Sequence, residues 1–171
     1  MESFIPIFSE YYQTICRSTE QVGLGYISQL ADRNLAESLA TNRERDRILG
    51  YTSNGVHKDE LEMTLNEQLI RRVGSQGQNK TYLIALKLAQ FAFLTRKGQT
   101  TPILLLDDIF DKLDAARVAE IIKLVSGDSF GQIFITDTNR KYLDEILQAM
   151  NHDYALFRVE QGEVQPMEDQ L

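Results

Sequence analysis

The stretch ILLLDD at residues 103–108 decides the fold class of this 171-residue chain. Four consecutive apolar residues after Pro102 predict a strand that is covered on both faces, as in a parallel β-sheet. The stretch QIFIT at residues 132–136 predicts a second buried strand, and residues 115–125 between them predict a helix. This alternation of strands and helices predicts an α/β fold for the second half of the chain.

Two carboxylates, Asp107 and Asp108, follow the first of these strands directly. The carboxyl edge of an open α/β sheet is where ligands bind. One carboxylate there can hold a hydrated Mg²⁺, and the other can orient or deprotonate a water molecule. Asp114 follows at short range and strengthens this interpretation. The alternative is a strand that ends in two solvated acids without a chemical role.

A glycine-rich loop, GSQGQ at residues 74–78, precedes an apolar stretch at residues 80–94 that predicts a buried helix ending at Gly98. Two glycines allow backbone N–H groups to approach a ligand closely, and a helix N-terminus with a serine hydroxyl suits a phosphate. The alternative is an ordinary loop whose serine caps the helix.

The remaining segments predict a mixed architecture. Residues 1–50 predict a helical hairpin whose two helices are joined by a turn at Gly23 and Gly25. Residues 60–66 alternate between polar and apolar and predict a half-buried strand. Residues 141–150 predict a further helix, and the segments that flank residues 161–162 predict a closing β-hairpin.

Composition and charge exclude several classes of protein. The net charge of -7 excludes a protein that coats nucleic acid through bulk positive charge, and a single cysteine excludes an internal disulfide framework. The acidic N-terminus and the lack of a long apolar run predict a cytoplasmic protein without a signal peptide. Residues 68–106 contain no acid, which favours a docking place for an anion unless it reflects chance and a buried helix. Six bases lie in this stretch: Arg71, Arg72, Lys80, Lys87, Arg96 and Lys97.

Together, the glycine-serine loop, the strand that ends in two acids and the following Leu-Asp pair resemble the head of an ABC-type ATPase. The chain resembles the RecF family, within the SMC-like branch, over nearly its whole length. The residues that carry this resemblance are the sequences GSQGQ, PILLLDDIFDKLD and QIFITDTN. The resemblance implies the C-terminal half of an ABC-type (P-loop NTPase) head. Residues 1–50 would then form part of an arm or lobe II, and residues 51–171 would carry the signature loop, the Walker B strand and the D-loop.

The resemblance also implies roles for individual residues. Asp107 would close the Walker B strand and bind the metal ion, and Asp108 would stand at the catalytic position where glutamate is usual. The remaining implied positions are the signature loop that binds ATP in trans (Gly74, Ser75, Gln76, Gly77 and Gln78), the D-loop (Leu113 and Asp114) and the switch position (Asp137 and Thr138).

Three departures from the family pattern bear on activity. The chain contains no G-x-x-x-x-G-K-[ST] sequence, so it lacks the P-loop that cradles the β-phosphate. Aspartate replaces glutamate at residue 108, and no histidine occupies residues 137–138, which predicts slow hydrolysis. The stretch GVHKDE at residues 55–60 departs from the family's Gly-Pro-His-Arg-Asp-Asp, so no role is assigned to His57.

The resemblance implies an ATP-dependent DNA-binding protein of replication, recombinational repair and the SOS response, with ATP and Mg²⁺ as cofactors. Its implied partners are single- and double-stranded gapped DNA, a second copy in an ATP-dependent homodimer and recombination mediator proteins, but no membrane. A weak ATPase is expected in the full-length protein and no activity in this chain alone. Two alternatives stay open: a non-catalytic partner-binding module, or an unrelated Mg²⁺-dependent phosphoryl-transfer enzyme.

Overall fold

The computed structural model describes residues 1–98, 100–108, 112–127, 129–138 and 154–167. They form two compact units, Met1–Lys97 and Gly98–Leu171. The division into compact units falls after residue 97, and strands on both sides of residue 50 pair with each other. Each unit is described by itself below.

The first unit is built on two packed helices. Helix α1 (Ile5–Cys16) buries Ile7, Phe8, Tyr12 and Ile15, and it ends where Arg17 takes a left-handed conformation with φ of 48°. Helix α4 (Gln76–Lys97) packs against α1, and the ring centroids of Phe8 and Tyr82 lie 4.7 Å apart. The long helix predicted after Gly74 is thus confirmed, although Leu83 and Leu94 on one side of it are exposed.

The sequence predicts a turn between two helices within residues 1–50, and this part of the prediction is wrong. Residues there form strand β1 (Val22–Ile27), which pairs antiparallel with β2 (Glu60–Leu65). The glycines that suggested a turn lie within this strand, and a Cβ at Gly23 would overlap with the Thr64 hydroxyl oxygen. Since the pairing partner lies about 40 residues further along the chain, local sequence could not reveal it.

The remaining elements of the first unit complete a three-stranded sheet. Helix α2 (Leu35–Leu49) is capped by Asn34, buries no residue and begins later than the sequence predicts. A 3₁₀ turn (Val56–Lys58) precedes β2. The strand β2 itself confirms the strand predicted at residues 60–66. The short strand β3 (Gln68–Leu69) and helix α3 (Ile70–Val73) then lead to α4.

The second unit contains the predicted parallel strands. Strands β4 (Leu104–Asp107) and β5 (Ile133–Thr136) pair in parallel, and helix α5 (Ala115–Val125) lies between them in sequence. Strands β6 (Leu156–Glu160) and β7 (Glu163–Met167) form the predicted closing hairpin. The helix predicted at residues 141–150 lies outside the described residues.

Within the described residues of the second unit, only one face of the parallel strands is covered, whereas the sequence predicts cover on both. Side chains alternate between buried and exposed along β4, and Leu105 is 71% exposed. Phe134 lies opposite Leu105 in the register and is 52% exposed. We call the face that carries Leu105 and Phe134 the open sheet face. The apolar run correctly predicts a parallel strand, but what covers its second face is not part of the local pattern.

No helix among the described residues is long and apolar enough to cross a membrane.

Candidate functional site

The glycine-serine loop forms a reciprocal cap at the start of α4. The Ser75 hydroxyl oxygen accepts a hydrogen bond from the Gln78 backbone N–H (3.2 Å), and the Gln78 side-chain oxygen accepts one from the Ser75 N–H (2.8 Å). This capping box satisfies donors that the first helical turn would otherwise leave unpaired. The pattern Ser-x-x-Gln carries this signal, so the role of Gln78 as a cap could have been predicted from the sequence.

Gly74 is required because the loop passes close to the preceding helix. A Cβ on Gly74 would lie 2.8 Å from the carbonyl oxygen of Ile70 and 3.0 Å from the Asn79 side-chain nitrogen. The Asn79 amide donates to the carbonyl oxygens of Gly74 and Ser75, at 3.0 Å each. These contacts determine the path of the loop, while Ser75 and Gln76 remain exposed at its tip.

A residue that the sequence analysis missed, Glu20, contacts the loop. The Gln78 side-chain nitrogen donates to one Glu20 carboxylate oxygen at 2.6 Å. The other oxygen accepts from the Tyr12 hydroxyl at 2.8 Å and from the Ser18 hydroxyl at 3.2 Å. Glu20 lies 58 residues before Gln78, and no sequence signal links the two.

The sequence favours an anion-docking place in the acid-free stretch at residues 68–106, but the fold brings an acid from outside that stretch to it. Arg71 and Arg72 are exposed directly before the loop, as an anion-docking place requires. The loop itself, however, contacts the Glu20 carboxylate from a distant part of the sequence. The positive character at the loop thus depends on the two arginines and on the α4 N-terminus.

Burial raises the pKa of two tyrosines behind the loop. Burial is the main cause for Tyr12, whose pKa lies well above its ordinary value, and its hydrogen bond with Glu20 adds to the effect. Burial raises the pKa of Tyr82 to about 12. The Tyr82 hydroxyl donates to the Gly23 carbonyl oxygen at 2.5 Å, so both phenols are neutral hydrogen-bond donors at physiological pH.

In the second unit, Asp107 and Thr136 end neighbouring strands and lie opposite each other in the register. The Thr136 hydroxyl donates a hydrogen bond to the Asp107 carboxylate. Asp107 alternates with the buried Leu106 and is exposed, on the same side of β4 as Leu105. The structure therefore places this carboxylate at the carboxyl edge of the sheet, as the sequence predicts.

Asp108 follows in a left-handed backbone conformation with φ of 45°. Its backbone N–H donates to the Thr136 carbonyl oxygen at 3.0 Å, which continues the parallel ladder by one residue. The side chain is exposed. The two acids are therefore adjacent in sequence but held by different backbone conformations.

The donor set agrees with one mode of magnesium binding. Within the ranges that the structure describes, no group of three or more His, Cys, Asp or Glu side chains could hold a metal ion. Magnesium is usually bound through one or two carboxylates, with water and substrate phosphates completing the octahedron. Asp107, an exposed carboxylate oriented by Thr136, fits that mode, which needs no cage of protein ligands.

The other predicted positions are more structural. Leu113 is 8% exposed, and Asp114 caps α5 by accepting from the Arg117 N–H at 2.9 Å. Asp137 and Thr138 directly follow β5, at the same edge of the sheet as Asp107. His57 contacts the Thr52 carbonyl oxygen at 2.9 Å through a ring nitrogen, a contact within its own loop.

Comparison with known proteins gives a consistent result. The chain is 80% identical over 169 residues to the DNA replication and repair protein RecF of Parabacteroides distasonis, covering 99% of this chain and 46% of that protein. It is 61% identical over 167 residues to the protein of the same name from Bacteroides thetaiotaomicron, covering 98% and 45%. The chain thus spans less than half the length of these relatives. No family model matches it.

Solved structures resemble the fold. A structure of the recombination mediator protein RecF-ATPrS in the RecFOR pathway superimposes with a TM-score of 0.67 at 22% identity, over 98% of this chain and 44% of that one. A structure from work on ATP-driven dimerization of SMC ATPases gives a TM-score of 0.51 at 19% identity, over 98% and 84%. These likenesses establish a mixed α/β fold of this kind. The identities of 80% and 61% over nearly all of its residues show that this chain belongs to the RecF family and corresponds to part of that family's length.

Proposed function

We propose that this chain is the C-terminal half of a RecF-type, ATP-switched DNA-binding protein that acts in replication, recombinational repair and the SOS response. Two full-length copies close on ATP and Mg²⁺, and the closed dimer binds gapped DNA and works with recombination mediator proteins. Residues 74–78 of one copy contact the nucleotide held by the P-loop half of the other. Membership of the family argues against the alternative of an unrelated phosphoryl-transfer enzyme.

The observation that carries this proposal is the geometry of Ser75. Its hydroxyl oxygen acts as an acceptor in the capping box, which leaves the hydroxyl proton available for a phosphate oxygen. The side chain is exposed at the start of a 22-residue helix, whose N-terminal dipole favours an anion. Arg71 and Arg72 add positive charge beside it. A loop of this kind can contact a phosphate without losing its shape.

The two acids at the sheet edge support separate roles. Asp107 is held by the Thr136 hydroxyl and would bind hydrated magnesium, which neutralises charge on the phosphates when it is present. Asp108 is exposed one residue further on and would orient the attacking water. An aspartate reaches one methylene less far than the usual glutamate, which supports slow hydrolysis and a role for ATP as a switch.

The open sheet face supports the assignment of this chain to one half of a larger head. A parallel sheet normally has both faces covered, because its strands are apolar on both sides. Leu105 and Phe134 are more than half exposed in this chain. We propose that the P-loop half of the full-length protein covers this face. The same exposure also agrees with the second candidate, a partner-binding module that touches no nucleotide.

The test uses a full-length protein that contains this sequence, with sedimentation in the presence and absence of ATP. Ser75→Asp retains a side chain that caps helices well but opposes the phosphate with a negative charge. It should bind ATP at the P-loop and fail to form the ATP-dependent dimer. Ser75→Thr keeps both the cap and the hydroxyl, and it is the matched control that should still dimerise.

A bulkier change gives an independent result. Ser75→Arg should also bind ATP and fail to dimerise, since the two heads must approach to about 2.7–3.2 Å for hydrogen bonding. Because it removes the helix cap, it should cost about 0.5–2 kcal/mol of stability, which Ser75→Asp avoids. An ATP-induced dimer of normal affinity in both variants would contradict the trans role of the loop. A dimer that forms equally well without ATP would favour the partner-binding module.

A further inference from the structure

We propose that Glu20 is a positioning residue for the signature loop, acting on Ser75 through Gln78. This inference rests on the proposed function of the loop. It assigns a role to a carboxylate that lies in the segment between α1 and β1 and outside every motif of the ATPase head.

The contacts form one continuous chain. The Glu20 carboxylate accepts from the Gln78 side-chain nitrogen at 2.6 Å. The oxygen of the same amide accepts from the Ser75 N–H at 2.8 Å, and the Gln78 N–H in turn donates to the Ser75 hydroxyl oxygen. Glu20 thereby selects the orientation of the amide, because only its nitrogen can donate to a carboxylate. That orientation turns the amide oxygen toward Ser75.

Glu20 is itself held from two sides. The Tyr12 hydroxyl, from a fully buried side chain of α1, and the Ser18 hydroxyl both donate to its second oxygen. The next residue, Gln21, forms two hydrogen bonds with Asn66. The Gln21 N–H donates to the Asn66 side-chain oxygen at 2.9 Å, and the Asn66 N–H donates to the Gln21 carbonyl oxygen at 2.7 Å. The carboxylate therefore has a fixed position relative to the sheet of the first unit.

A second hydrogen bond, one turn further along α4, also attaches residues 20–23 to this helix. The Tyr82 hydroxyl donates to the Gly23 carbonyl oxygen at 2.5 Å. Residues 78 and 82 lie on one face of α4, so residues 20–23 are bound to the first two turns of the helix at two points. The Tyr82 contact fixes the helix, whereas the Glu20 contact acts on the side chain that shapes the loop.

The first test measures ATP-dependent dimerisation of the full-length protein by sedimentation. Glu20→Ala should weaken the dimer about tenfold, as expected for loss of about 1.4 kcal/mol from a charge-assisted hydrogen bond, and leave ATP binding at the P-loop unchanged. Glu20→Gln retains an acceptor for Gln78 and should restore dimerisation. Glu10→Ala removes an exposed carboxylate of α1 that takes no part in these contacts, and it is the matched control that should dimerise normally.

A second pair of variants keeps the test valid if Glu20→Ala does not fold. Gln78→Glu preserves an acceptor for the Ser75 N–H but brings two carboxylates together, so the dimer should weaken at least tenfold. Adding Glu20→Gln to that variant supplies a donor again and should recover the dimer. Failure of Glu20→Gln to rescue Gln78→Glu would overturn the proposal.

Comparison with Ser75 separates the two claims. If Ser75→Asp abolishes the dimer while Glu20→Ala dimerises normally, the positioning role of Glu20 is refuted and the trans role of the loop stands. If Ser75→Asp dimerises normally, the proposed function itself is refuted, whatever the Glu20 variants do.

Discussion

Replacing Gly74 by alanine tests whether the path of the glycine-serine loop is determined by close packing. Gly74 has φ of -74° and ψ of 134°, a conformation that alanine adopts readily, so any cost must come from the added methyl group. That methyl would lie 2.8 Å from both the Cγ1 atom and the carbonyl oxygen of Ile70, a residue only 4% exposed. The Gly74 N–H donates to the same carbonyl at 2.8 Å, which prevents a simple separation of the two.

The magnitude follows from three contributions. Overpacking costs about 1–3 kcal/mol, and displacement of the Asn79 hydrogen bonds adds about 1 kcal/mol. Reduced entropy of the unfolded chain returns about 0.4–1 kcal/mol. We expect a net destabilisation of about 1–3.6 kcal/mol for Gly74→Ala, which lowers the urea midpoint of the first unit by about 1 M.

Gly25→Ala is the matched control, because a Cβ there would meet the Glu62 Cβ at 3.6 Å and the Glu62 carbonyl oxygen at 3.9 Å, both ordinary contacts. Hydrogen exchange of the α4 amides during a urea titration follows the relevant unit in the whole chain. Gly25→Ala should leave the midpoint unchanged or raise it. Equal midpoints for the two variants would refute the packing argument for Gly74.

Three further predictions concern nucleotide binding and pH. This chain alone should bind Mg-ATP weakly or not at all by calorimetry, because it lacks a P-loop; a micromolar dissociation constant, about -8 kcal/mol, would contradict this. In the full-length protein, Asp107→Asn should weaken Mg²⁺-dependent nucleotide binding, whereas Asp108→Asn should leave binding intact and slow hydrolysis about 10²–10⁴-fold; identical binding defects would rule out separate roles. Because the pKa of Tyr82 is raised from 10.0 to about 12, the unfolded state ionises first as pH rises, and the stabilisation present below pH 10 is lost toward pH 12. Between pH 10 and pH 12, the urea midpoint of the Tyr82→Phe variant should therefore fall less than that of the unmodified protein. Equal falls in the two proteins would count against this prediction.

The sequence predicted the elements whose signal is local. The parallel strands, α5, α4 and the closing hairpin all follow from apolar runs, periodicity and turn residues that lie next to one another. The positions of Asp107 and Ser75 were predictable for the same reason, since one ends a strand and the other precedes a helix.

The elements that sequence reasoning missed depend on distant partners. Gly23 and Gly25 indicated a turn, yet Thr64 and its neighbours pair with them in a sheet. Glu20 carries no motif, and only the packing of α1 on α4 brings it to Gln78. The apolar run at residues 103–106 predicts two covered faces, but local pattern does not say which polypeptide segment provides the second cover.

The left-handed conformation of Asp108 has a consequence for the identity of the acid at this position. Residues other than glycine rarely adopt positive φ, and aspartate and asparagine tolerate it better than longer side chains do. A glutamate at this position would gain reach toward a water molecule but would lose the local compensation that a short polar side chain provides. Backbone geometry and reach toward a water molecule therefore favour different residues at this position. Under the proposed function, the turn after β4 is therefore part of what determines which acid stands at this position.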